Sequence, residues 1–210
     1  EICDRYDILM VADEVMAGFG RTGRMFAIDH WDTVPDLMTM AKGLTSSYLP
    51  LGAVAMRHKI AEAFESKMYY GGLTYSSHAV SCAAALATIA GYESDGLVEH
   101  AAAMGPVMRR HHEELYRKHP SVGAVRNLGL FGILDLVRSR EPFTPMTPFN
   151  GTSDEMKAVG KYLREHGLYT MIANNSIHTN PPLVISEEQL AEGFAVIDAA
   201  LDIADQAVTG

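Results

Sequence analysis

The stretch VADEVMAGFGRTG, residues 11–23, joins an apolar run, two adjacent carboxylates and three glycines, and its interpretation decides the fold. Gly18, Gly20 and Gly23 match the G-x-G-x-x-G spacing of a dinucleotide-binding loop. Such a loop must open a helix that packs back onto the preceding strand, with an acidic residue about 20 positions further on. The residues that follow the glycines therefore test this interpretation.

These following residues do not fit a dinucleotide-binding loop. Residues 24–35 show no clear helical periodicity and end in a proline. The carboxylates of Asp13 and Glu14 would also lie close to the pyrophosphate, and charges of the same sign repel each other. Since a bare G-x-G-x-x-G match is common by chance, we reject this interpretation and ask what the carboxylates do.

Two short apolar runs predict neighbouring buried strands, and each run is followed by a charged residue. Residues 8–12 precede Asp13, and residues 37–41 precede Lys42. Ligands collect at the carboxyl ends of strands in open α/β sheets. A partly desolvated lysine there can form a Schiff base, and a carboxylate facing a pyridine nitrogen keeps that ring protonated. Such a pair supplies the minimum protein parts of a pyridoxal phosphate site, although each residue alone is more often a cap or a solvated charge.

Composition and charge exclude other classes of function. The 210 residues, of which 48% are hydrophobic, suffice for one sizeable core or two small ones. The 17 basic and 26 acidic residues give a net charge of −9, which disfavours binding to nucleic acid. Cys3 and Cys82 belong to no metal-binding or disulfide pattern, so we expect a reducing, cytoplasmic location.

No membrane association is expected from the sequence. The longest nearly apolar stretch, residues 79–92, is shorter than the roughly 20 residues that span a bilayer, and it predicts a buried helix instead. The first residues lack the basic start and apolar block of a signal peptide. Because the sequence does not begin with Met, we expect that it starts inside a domain.

The rest of the chain predicts an α/β part followed by a smaller α+β domain from about residue 100 onward. Residues 97–115 carry apolar side chains at helical spacing, with a kink expected at Gly105 and Pro106, and residues 109–114 predict a solvated helix face. The other predicted elements are strands at 52–56, 129–137 and 168–172, helices at 59–66 and 78–92, a surface excursion at 141–149, and helices that begin at the capping boxes of Thr152 with Glu155 and of Ser186 with Gln189.

Four segments, in this order, closely resemble those of the class III aminotransferases. They are DEVMAGFGRTG at 13–23, PDLMTMAKGL at 35–44, LPLGAV at 49–54 and LTYSSHAVSCAAALAT at 73–88. These enzymes use pyridoxal phosphate and have the aspartate aminotransferase fold, known as fold type I. The resemblance extends from residue 1 to the PPLVI segment that begins at Pro181.

This resemblance implies a fold, a domain organisation and an activity. Residues 1–98 are expected to form the C-terminal part of the pyridoxal-phosphate-binding large domain, and residues 99–210 the small α+β C-terminal domain. The N-terminal half of a family chain is expected to lie outside these residues. The expected activity is transamination from an amine donor to a 2-oxo acid, such as pyruvate or 2-oxoglutarate.

The resemblance also implies roles for individual residues. Lys42 matches the lysine that forms the Schiff base with the cofactor and later moves a proton between the substrate carbon and the C4' carbon. Asp13 matches the carboxylate that pairs with the ring nitrogen, and Val15 matches the apolar residue that packs on one ring face. Thr74 matches the threonine that reaches the cofactor phosphate of the partner subunit, which implies a homodimer with shared active sites. The three glycines are then assigned to a tight turn, and Arg21 to a structural role.

Four positions depart from the family pattern. Met16 stands where many relatives have a glutamine that donates to the phenolic oxygen of the ring, and Ser77 and Ala79 stand where a glycine and a proline are expected. His178 stands in place of the arginine of R-x-x-P-P-L, whose guanidinium binds a substrate carboxylate through two parallel hydrogen bonds. Because histidine cannot form that pair of bonds, we expect the donor to be an ω-amine or an amino sulfonate such as taurine, rather than a plain α-amino acid.

Two alternatives stay open on the sequence. The first keeps the cofactor and changes the reaction to that of an aminomutase or a decarboxylase of the same family. The second is a truncated, non-catalytic fragment, because the resemblance implies that the phosphate-binding loop and the aromatic residue stacked on the ring lie outside these residues. Such a fragment is expected to bury its core poorly and to self-associate.

Overall fold

The computed structural model describes residues 1–209 and divides the chain into two compact units, Glu1–Glu99 and His100–Gly210. The first unit contains a three-stranded sheet, and the second contains a five-stranded sheet covered by long helices. None of the helices in the described part of the chain is both long and apolar enough to cross a membrane.

The first unit is built around a mixed sheet in the order β1-β2-β3. Strand β1 pairs in parallel with β2, so that Asp13 lies opposite Thr39, and β3 pairs with β2 in antiparallel orientation. The elements of this unit are α1 (Ile2–Arg5), β1 (Val11–Asp13), a 3-10 helix (Ala27–Trp31), β2 (Leu37–Met40), a second 3-10 helix (Lys42–Leu44), β3 (Ala53–Met56), α2 (His58–Glu62) and α3 (Ala79–Ser94).

Strand β1 begins later than the sequence predicts and is more exposed. The prediction placed a buried strand at residues 8–12, whereas β1 is Val11–Asp13 and the side chains of Ile8, Leu9 and Val11 are exposed. The apolar run identifies a segment able to form a strand, but burial depends on what covers it. Within the described residues β1 pairs only with β2, so the prediction of a buried strand is wrong for this part.

The glycine-rich segment forms turns and opens no α-helix. The carboxylate of Glu14 is 2% exposed and accepts hydrogen bonds from the backbone N–H groups of Ala27 (2.9 Å) and Ile28 (2.8 Å). Gly18 donates its N–H to the carbonyl oxygen of Glu14 at 3.0 Å, and a Cβ on Gly18 would lie 2.8 Å from that oxygen. The buried Glu14 carboxylate therefore fastens the segment after β1, and Gly18 lets its backbone approach closely.

Helix α3 is less buried than its apolar sequence predicts. Only Ser81, Ala85 and Tyr92 are buried along it, and these lie on one face. Leu86 is 70% exposed. Because the alanine-rich sequence has no polar face, it does not indicate which side meets solvent, and the prediction of a buried helix is wrong for the described chain.

The second unit places three helices against its sheet. Strands β4, β5, β8 and β7 lie in this order, and the short β6 pairs with β5. The elements are α4 (Leu97–Lys118, beginning just before the unit), β4 (Val122–Leu128), β5 (Phe131–Ser139), β6 (Thr144–Pro145), α5 (Asp154–Glu165), β7 (Ile172–Ala173), β8 (Ser176–Thr179) and α6 (Glu187–Asp205).

A single hydrophobic core fills this unit. Its fully buried side chains come from both the helices and the sheet and include Met108 of α4, Leu134 of β5, Val159 of α5 and Leu201 of α6. The predicted apolar stripe of α4 is confirmed in this core, and the helix continues through Pro106 as one element. Full burial of such side chains contributes about 1.5–3 kcal/mol each to the hydrophobic stabilisation.

One of the two helix starts predicted from capping boxes is confirmed. At α6, Ser186 Oγ accepts from the N–H of Gln189 at 3.2 Å, and the Gln189 side chain accepts from the N–H of Ser186 at 3.1 Å. At α5 the N-cap is Ser153 instead of Thr152. Glu155 binds Arg138 at 2.9 Å and does not complete a capping box. Adjacent hydroxyl residues are equivalent in sequence, and only the backbone geometry selects between them.

The strands of the second unit also differ from their predicted bounds. The prediction of a strand at 168–172 is wrong except at its last residue. Residues 168–171 belong to no strand, and Ile172 begins the two-residue β7, which forms a hairpin with β8. The predicted strand at 129–137 is β5, which begins at Phe131 and forms a hairpin with β4. In that hairpin Arg126 binds Asp135 at 2.6 Å across the two strands.

A buried histidine links the end of α4 to the C-terminal helix α6. His119 Nδ1 lies 2.7 Å from a carboxylate oxygen of Asp205, and Nε2 lies 2.8 Å from one of Asp198. Ser121 Oγ also donates to Asp205, at 2.5 Å. The two carboxylates are seven positions apart on α6 and thus share one face, which aligns this face with the last turn of α4.

The prediction of a solvated helix face at residues 109–114 is wrong for His111 and His112. His112 is fully buried, with Nε2 2.9 Å from Thr179 Oγ1, and His111 stacks on Phe194 with ring centroids 4.9 Å apart. Burial lowers the pKa of His112 to about 4. A Cβ on Gly132 would lie 2.2 Å from Thr179 Oγ1, so this close contact requires a glycine in the neighbouring strand.

We predict that Glu14→Gln lowers the free energy of unfolding by about 1–3 kcal/mol, the cost of a buried donor without its acceptor. The N–H groups of Ala27 and Ile28 bind different oxygens of the carboxylate, and in glutamine one of these oxygens is replaced by an NH2 group, which cannot accept. Urea denaturation followed by circular dichroism measures the change. The exposed Glu65→Gln is the matched control, and equal stabilities of the two variants would contradict the anchoring role of Glu14.

Acid should destabilise the second unit through His112. Because the folded pKa of about 4 lies below the ordinary value of 6.5, the unfolded chain binds this proton more readily. The contribution to stability is therefore complete above pH 6.5 and is lost as the pH falls to 4, by about 3 kcal/mol in total. Urea denaturation of dilute protein across this range should show a shallower pH dependence for His112→Gln than for wild type. If the stability of His112→Gln changed with pH as steeply as that of wild type, His112 would be excluded as the source of the pH dependence. The control His58→Gln, at an exposed position, should keep the pH dependence of wild type.

Candidate functional site

The parallel pairing of β1 and β2 places two predicted site residues at one edge of the first sheet. Asp13 is the last residue of β1, and Lys42 follows the end of β2 by two positions. Because the strands run in the same direction, their carboxyl ends share this edge. An acid and an amine from separate parts of the sequence are thereby brought to the same end of a sheet.

Two hydrogen bonds orient the carboxylate of Asp13. Its Oδ1 accepts from the N–H of Val15 at 3.0 Å and from the hydroxyl of Thr39 at 3.2 Å. The Thr39 contact follows from the register, in which Thr39 lies directly opposite Asp13. The side chain of Asp13 is exposed, so the oriented carboxylate is accessible to a ligand.

Lys42 lies in an unusual backbone conformation. Its φ angle is 43°, in the left-handed region that favours glycine, and it begins the 3-10 helix Lys42–Leu44. Backbone strain of this kind persists only where the surrounding structure enforces it, and it is concentrated at functional sites. The neighbouring Gly43 provides that close packing, because a Cβ there would lie 2.9 Å from Cβ of Phe19. The side chain of Lys42 itself is exposed.

The other two predicted cofactor-binding residues lie in different environments. Val15 is half-buried at the start of the turn after β1, immediately beside the Asp13 carboxylate that its N–H binds. Thr74 is exposed in a turn before α3, in which the N–H of Leu73 binds Ser76 Oγ at 3.1 Å. Within the described residues no hydrogen bond joins Thr74 to Asp13 or to Lys42.

The turn that contains Thr74 keeps the conformation of the glycine that the family pattern expects. Ser77 has a φ angle of 57°, in the region where glycine is favoured over residues with a Cβ. The serine at this position therefore does not remove the turn, although it adopts a conformation that is strained for its type. Met16, the other departure near β1, is exposed.

His178 lies in the second unit, on strand β8. It is half-buried, desolvation lowers the pKa of its ring, and its Nδ1 is buried with no hydrogen-bond partner in the described part of the chain. The ring lines a cavity of about 220 Å³ together with Thr170, Asn180, Pro182 and Gln189. The ring of His178 is therefore a candidate contact for a ligand in this cavity.

Sequence reasoning missed the residues that support the two turns of the site. Glu14, Thr39 and Tyr92 hold these turns through hydrogen bonds to the chain after β1, to Asp13 and to Gly43. Thr39 had a usable signal, since it is the one polar residue in the apolar run before Lys42. Tyr92 had no such signal in the sequence, because its hydrogen-bond partner Gly43 lies 49 positions away.

The carboxylate of Asp13, the half-buried Val15 and the amine of Lys42 fit pyridoxal phosphate in their chemistry. The cofactor needs an acceptor for its protonated ring nitrogen, an apolar surface for its ring and a primary amine for its aldehyde. Asp13 supplies an oriented, accessible acceptor, and Lys42 supplies an exposed amine at the same sheet edge. These residues could therefore hold the group.

Comparison with known proteins identifies the family of this chain. The family described as Aminotransferase class-III matches residues 1–201. The chain is 38% identical over 211 aligned residues to the putrescine–pyruvate aminotransferase of Pseudomonas aeruginosa, and the alignment covers 96% of this chain and 44% of that protein. The chain therefore spans less than half the length of this relative.

Solved structures give the same result for the fold. The taurine:2-oxoglutarate aminotransferase of Bifidobacterium kashiwanohense, in complex with PLP and glutamate, matches with a TM-score of 0.94 at 38% identity, over 99% of this chain and 47% of that one. An amine transaminase from an uncultivated Pseudomonas species, in its PLP-bound form, matches with a TM-score of 0.91 at 34% identity, over 96% of this chain and 46% of that one. The predicted α/β fold, as part of the fold type I architecture, is thereby confirmed.

The sequence match over residues 1–201 and the structural matches agree with each other and with the four motifs identified at the outset. The chain belongs to the class III aminotransferases, whose cofactor is pyridoxal phosphate.

Proposed function

We propose that this chain carries part of a transamination site in which Lys42 forms a Schiff base with pyridoxal phosphate. The observation that carries the proposal is the placement of Asp13 and Lys42 at the carboxyl ends of two strands paired in parallel. Bound pyridoxal phosphate supplies an electron sink that stabilises negative charge on the substrate carbon. The overall reaction moves an amino group from an amine donor to a 2-oxo acid.

The side chains at the sheet edge have distinct roles in this proposal. The carboxylate of Asp13, held by Val15 and Thr39, pairs with the ring nitrogen and keeps it protonated. The amine of Lys42, once displaced by the donor, moves a proton between the substrate carbon and the C4' position. The side chain of Val15 packs on one face of the ring.

The two units take the roles expected from the family. Glu1–Glu99 is proposed to be part of the cofactor-binding large domain, and His100–Gly210 to be the small C-terminal domain. A cytoplasmic location remains the proposal for the protein, on the grounds of its cysteine usage.

A homodimer with shared active sites is proposed through the segment around Thr74. Large apolar side chains are exposed on both sides of this residue, with Tyr70 91%, Leu73 81% and Tyr75 80% exposed. Several exposed apolar side chains close together in sequence are typical of a segment that forms a protein interface. Such an interface would bring Thr74 to the cofactor phosphate of the partner subunit.

The proposed donor is an ω-amine or a taurine-like amino sulfonate, with pyruvate or 2-oxoglutarate as acceptor. His178 supports the donor class, because its ring cannot form the paired hydrogen bonds by which an arginine binds a carboxylate. The names of two relatives point the same way, since one acts on putrescine with pyruvate and the other on taurine with 2-oxoglutarate. These relatives are aminotransferases, which favours transamination over an aminomutase or decarboxylase reaction.

Addition of pyridoxal phosphate to the purified chain should produce an absorbance band that borohydride removes. Peptide mass spectrometry should then find the reduced cofactor attached to Lys42. Lys42→Ala should lose the band and the attachment, whereas Lys67→Ala, at an exposed position, should keep both. An equal band in Lys42→Ala would contradict the proposed Schiff base. Absence of any Lys42-dependent band would show that the chain is a non-catalytic part of an aminotransferase.

Donor preference should respond to position 178. His178→Arg should raise the reactivity toward alanine relative to putrescine or taurine by about tenfold or more, since a hydrogen-bonded charge pair contributes about 1.5–3 kcal/mol. The measurement is the rate at which each donor removes the Lys42-dependent absorbance of the cofactor-loaded protein. A wild-type protein that reacts only with α-amino acids would refute the proposed donor class.

A further inference from the structure

We propose that Tyr92 is a positioning residue for Lys42, acting through the peptide that follows Lys42 in the chain. The Tyr92 hydroxyl donates to the carbonyl oxygen of Gly43 at 2.8 Å, across 49 positions of sequence. Tyr92 is 7% exposed and is the last buried residue of α3. The inference rests on the proposed function, since that assigns the reacting amine to Lys42.

The aromatic ring of Tyr92 reinforces this hydrogen bond through Phe19. The two rings stack with centroids 6.0 Å apart and planes 26° apart. Phe19 in turn packs so closely on Gly43 that a Cβ there would lie 2.9 Å from Cβ of Phe19. Gly43 is thus held at its carbonyl by the Tyr92 hydroxyl and at its Cα by the Phe19 side chain.

Phe19 belongs to the turn that follows Asp13. Its stacking on Tyr92 therefore links the part of the site that contains Asp13 to the part that contains Lys42. The φ angle of Phe19 is 56°, also in the left-handed region, within the segment fastened by Glu14. The pair of rings therefore joins the turn after β1 to the turn after β2. The relative placement of Asp13 and Lys42 depends on this junction as well as on the strand pairing.

The strained backbone of Lys42 explains why such support is needed. A lysine with a φ angle of 43° returns to ordinary helical or extended geometry unless its neighbours prevent it. The carbonyl of Gly43 also accepts from the N–H of Ser46 at 3.3 Å, and Thr45 donates to the carbonyl of Lys42 at 3.3 Å. These two local bonds are long, and a third, from the N–H of Leu44 to the carbonyl of Ala41, is 2.9 Å. The bond from Tyr92 is as short as this third bond and differs from all three because it comes from a separate helix.

Tyr92 is well suited to remain a hydrogen-bond donor. Burial raises the pKa of its phenol, although the nearby Arg21 charge and a hydrogen bond with the Ser46 side chain oppose part of the rise. The hydroxyl is therefore protonated at neutral pH and can donate to Gly43. This contact holds the Lys42 turn and places no charge beside the amine.

The first test compares amide hydrogen exchange in wild type, Tyr92→Phe and Thr88→Val. Thr88 lies one turn earlier on α3, and its hydroxyl donates within the same helix, to the carbonyl of Ala84 at 2.9 Å. Tyr92→Phe should speed exchange at Leu44 and Ser46 about fivefold, the effect of losing one net hydrogen bond. The N–H of Glu14, bonded to Thr39 across the strands, should be unaffected.

A second measurement reports on the amine itself. Pyridoxal phosphate is added, borohydride is applied, and the labelling rate of Lys42 is divided by that of the exposed Lys67 in the same sample. The ratio should fall about fivefold in Tyr92→Phe and stay unchanged in Thr88→Val. A purely structural role of Tyr92 would lower the thermal stability without changing this ratio.

Each result separates the inference from the proposed function. Unchanged exchange at Leu44 and Ser46 in Tyr92→Phe, or an unchanged labelling ratio, would overturn the positioning role while leaving the Schiff base at Lys42 intact. Labelling of Lys42 no faster than that of Lys67 in wild type would instead contradict the proposed function. The exchange measurement still decides in that case whether Tyr92 fixes the turn.

Discussion

The parallel pairing of β1 with β2 is the constraint on which the site depends. It joins Val11–Asp13 to Leu37–Met40, so an acid and an amine that are 29 positions apart in sequence leave the sheet at the same edge. The register then supplies the hydroxyl of Thr39 to the carboxylate of Asp13. Further contacts fasten the chain after each of these strands: Glu14 holds the first segment, and Tyr92 holds the second.

Much of this edge could be predicted from the sequence, because the relevant signals are local. The apolar runs before Asp13 and Lys42 indicate strands, and the failed helix after the glycines excludes a dinucleotide loop. Burial could not be predicted in the same way. The exposure of Val11 and Leu86 depends on which surfaces cover them, and an apolar pattern states only that they can be covered. The bond between Tyr92 and Gly43 is similarly invisible in sequence, since neither residue belongs to a pattern with the other.

In the second unit two errors, at the histidines of α4 and at the N-cap of α5, have a geometric origin. A step of one position rotates a helical side chain by about 100°, so the adjacent His112 and His111 lie in different environments. His112 is fully buried, and His111 stacks on Phe194. The same small step separates Thr152 from the true cap Ser153. The hydrophobic stripe of α4 tolerates such errors because several side chains define it together, whereas a single polar contact does not.

The exposed aromatic segment around Tyr70, Leu73 and Tyr75 has a consequence for the colloidal behaviour of the chain. At neutral pH the net charge of −9 makes the molecules repel each other, and this repulsion opposes their association through these side chains. That repulsion vanishes near the isoelectric point of 5.4. Ionic strength shortens the reach of the same repulsion, to about 8 Å at physiological salt. Dilute, low-salt buffers well above pH 5.4 are therefore the conditions in which preparations of this chain should stay dispersed.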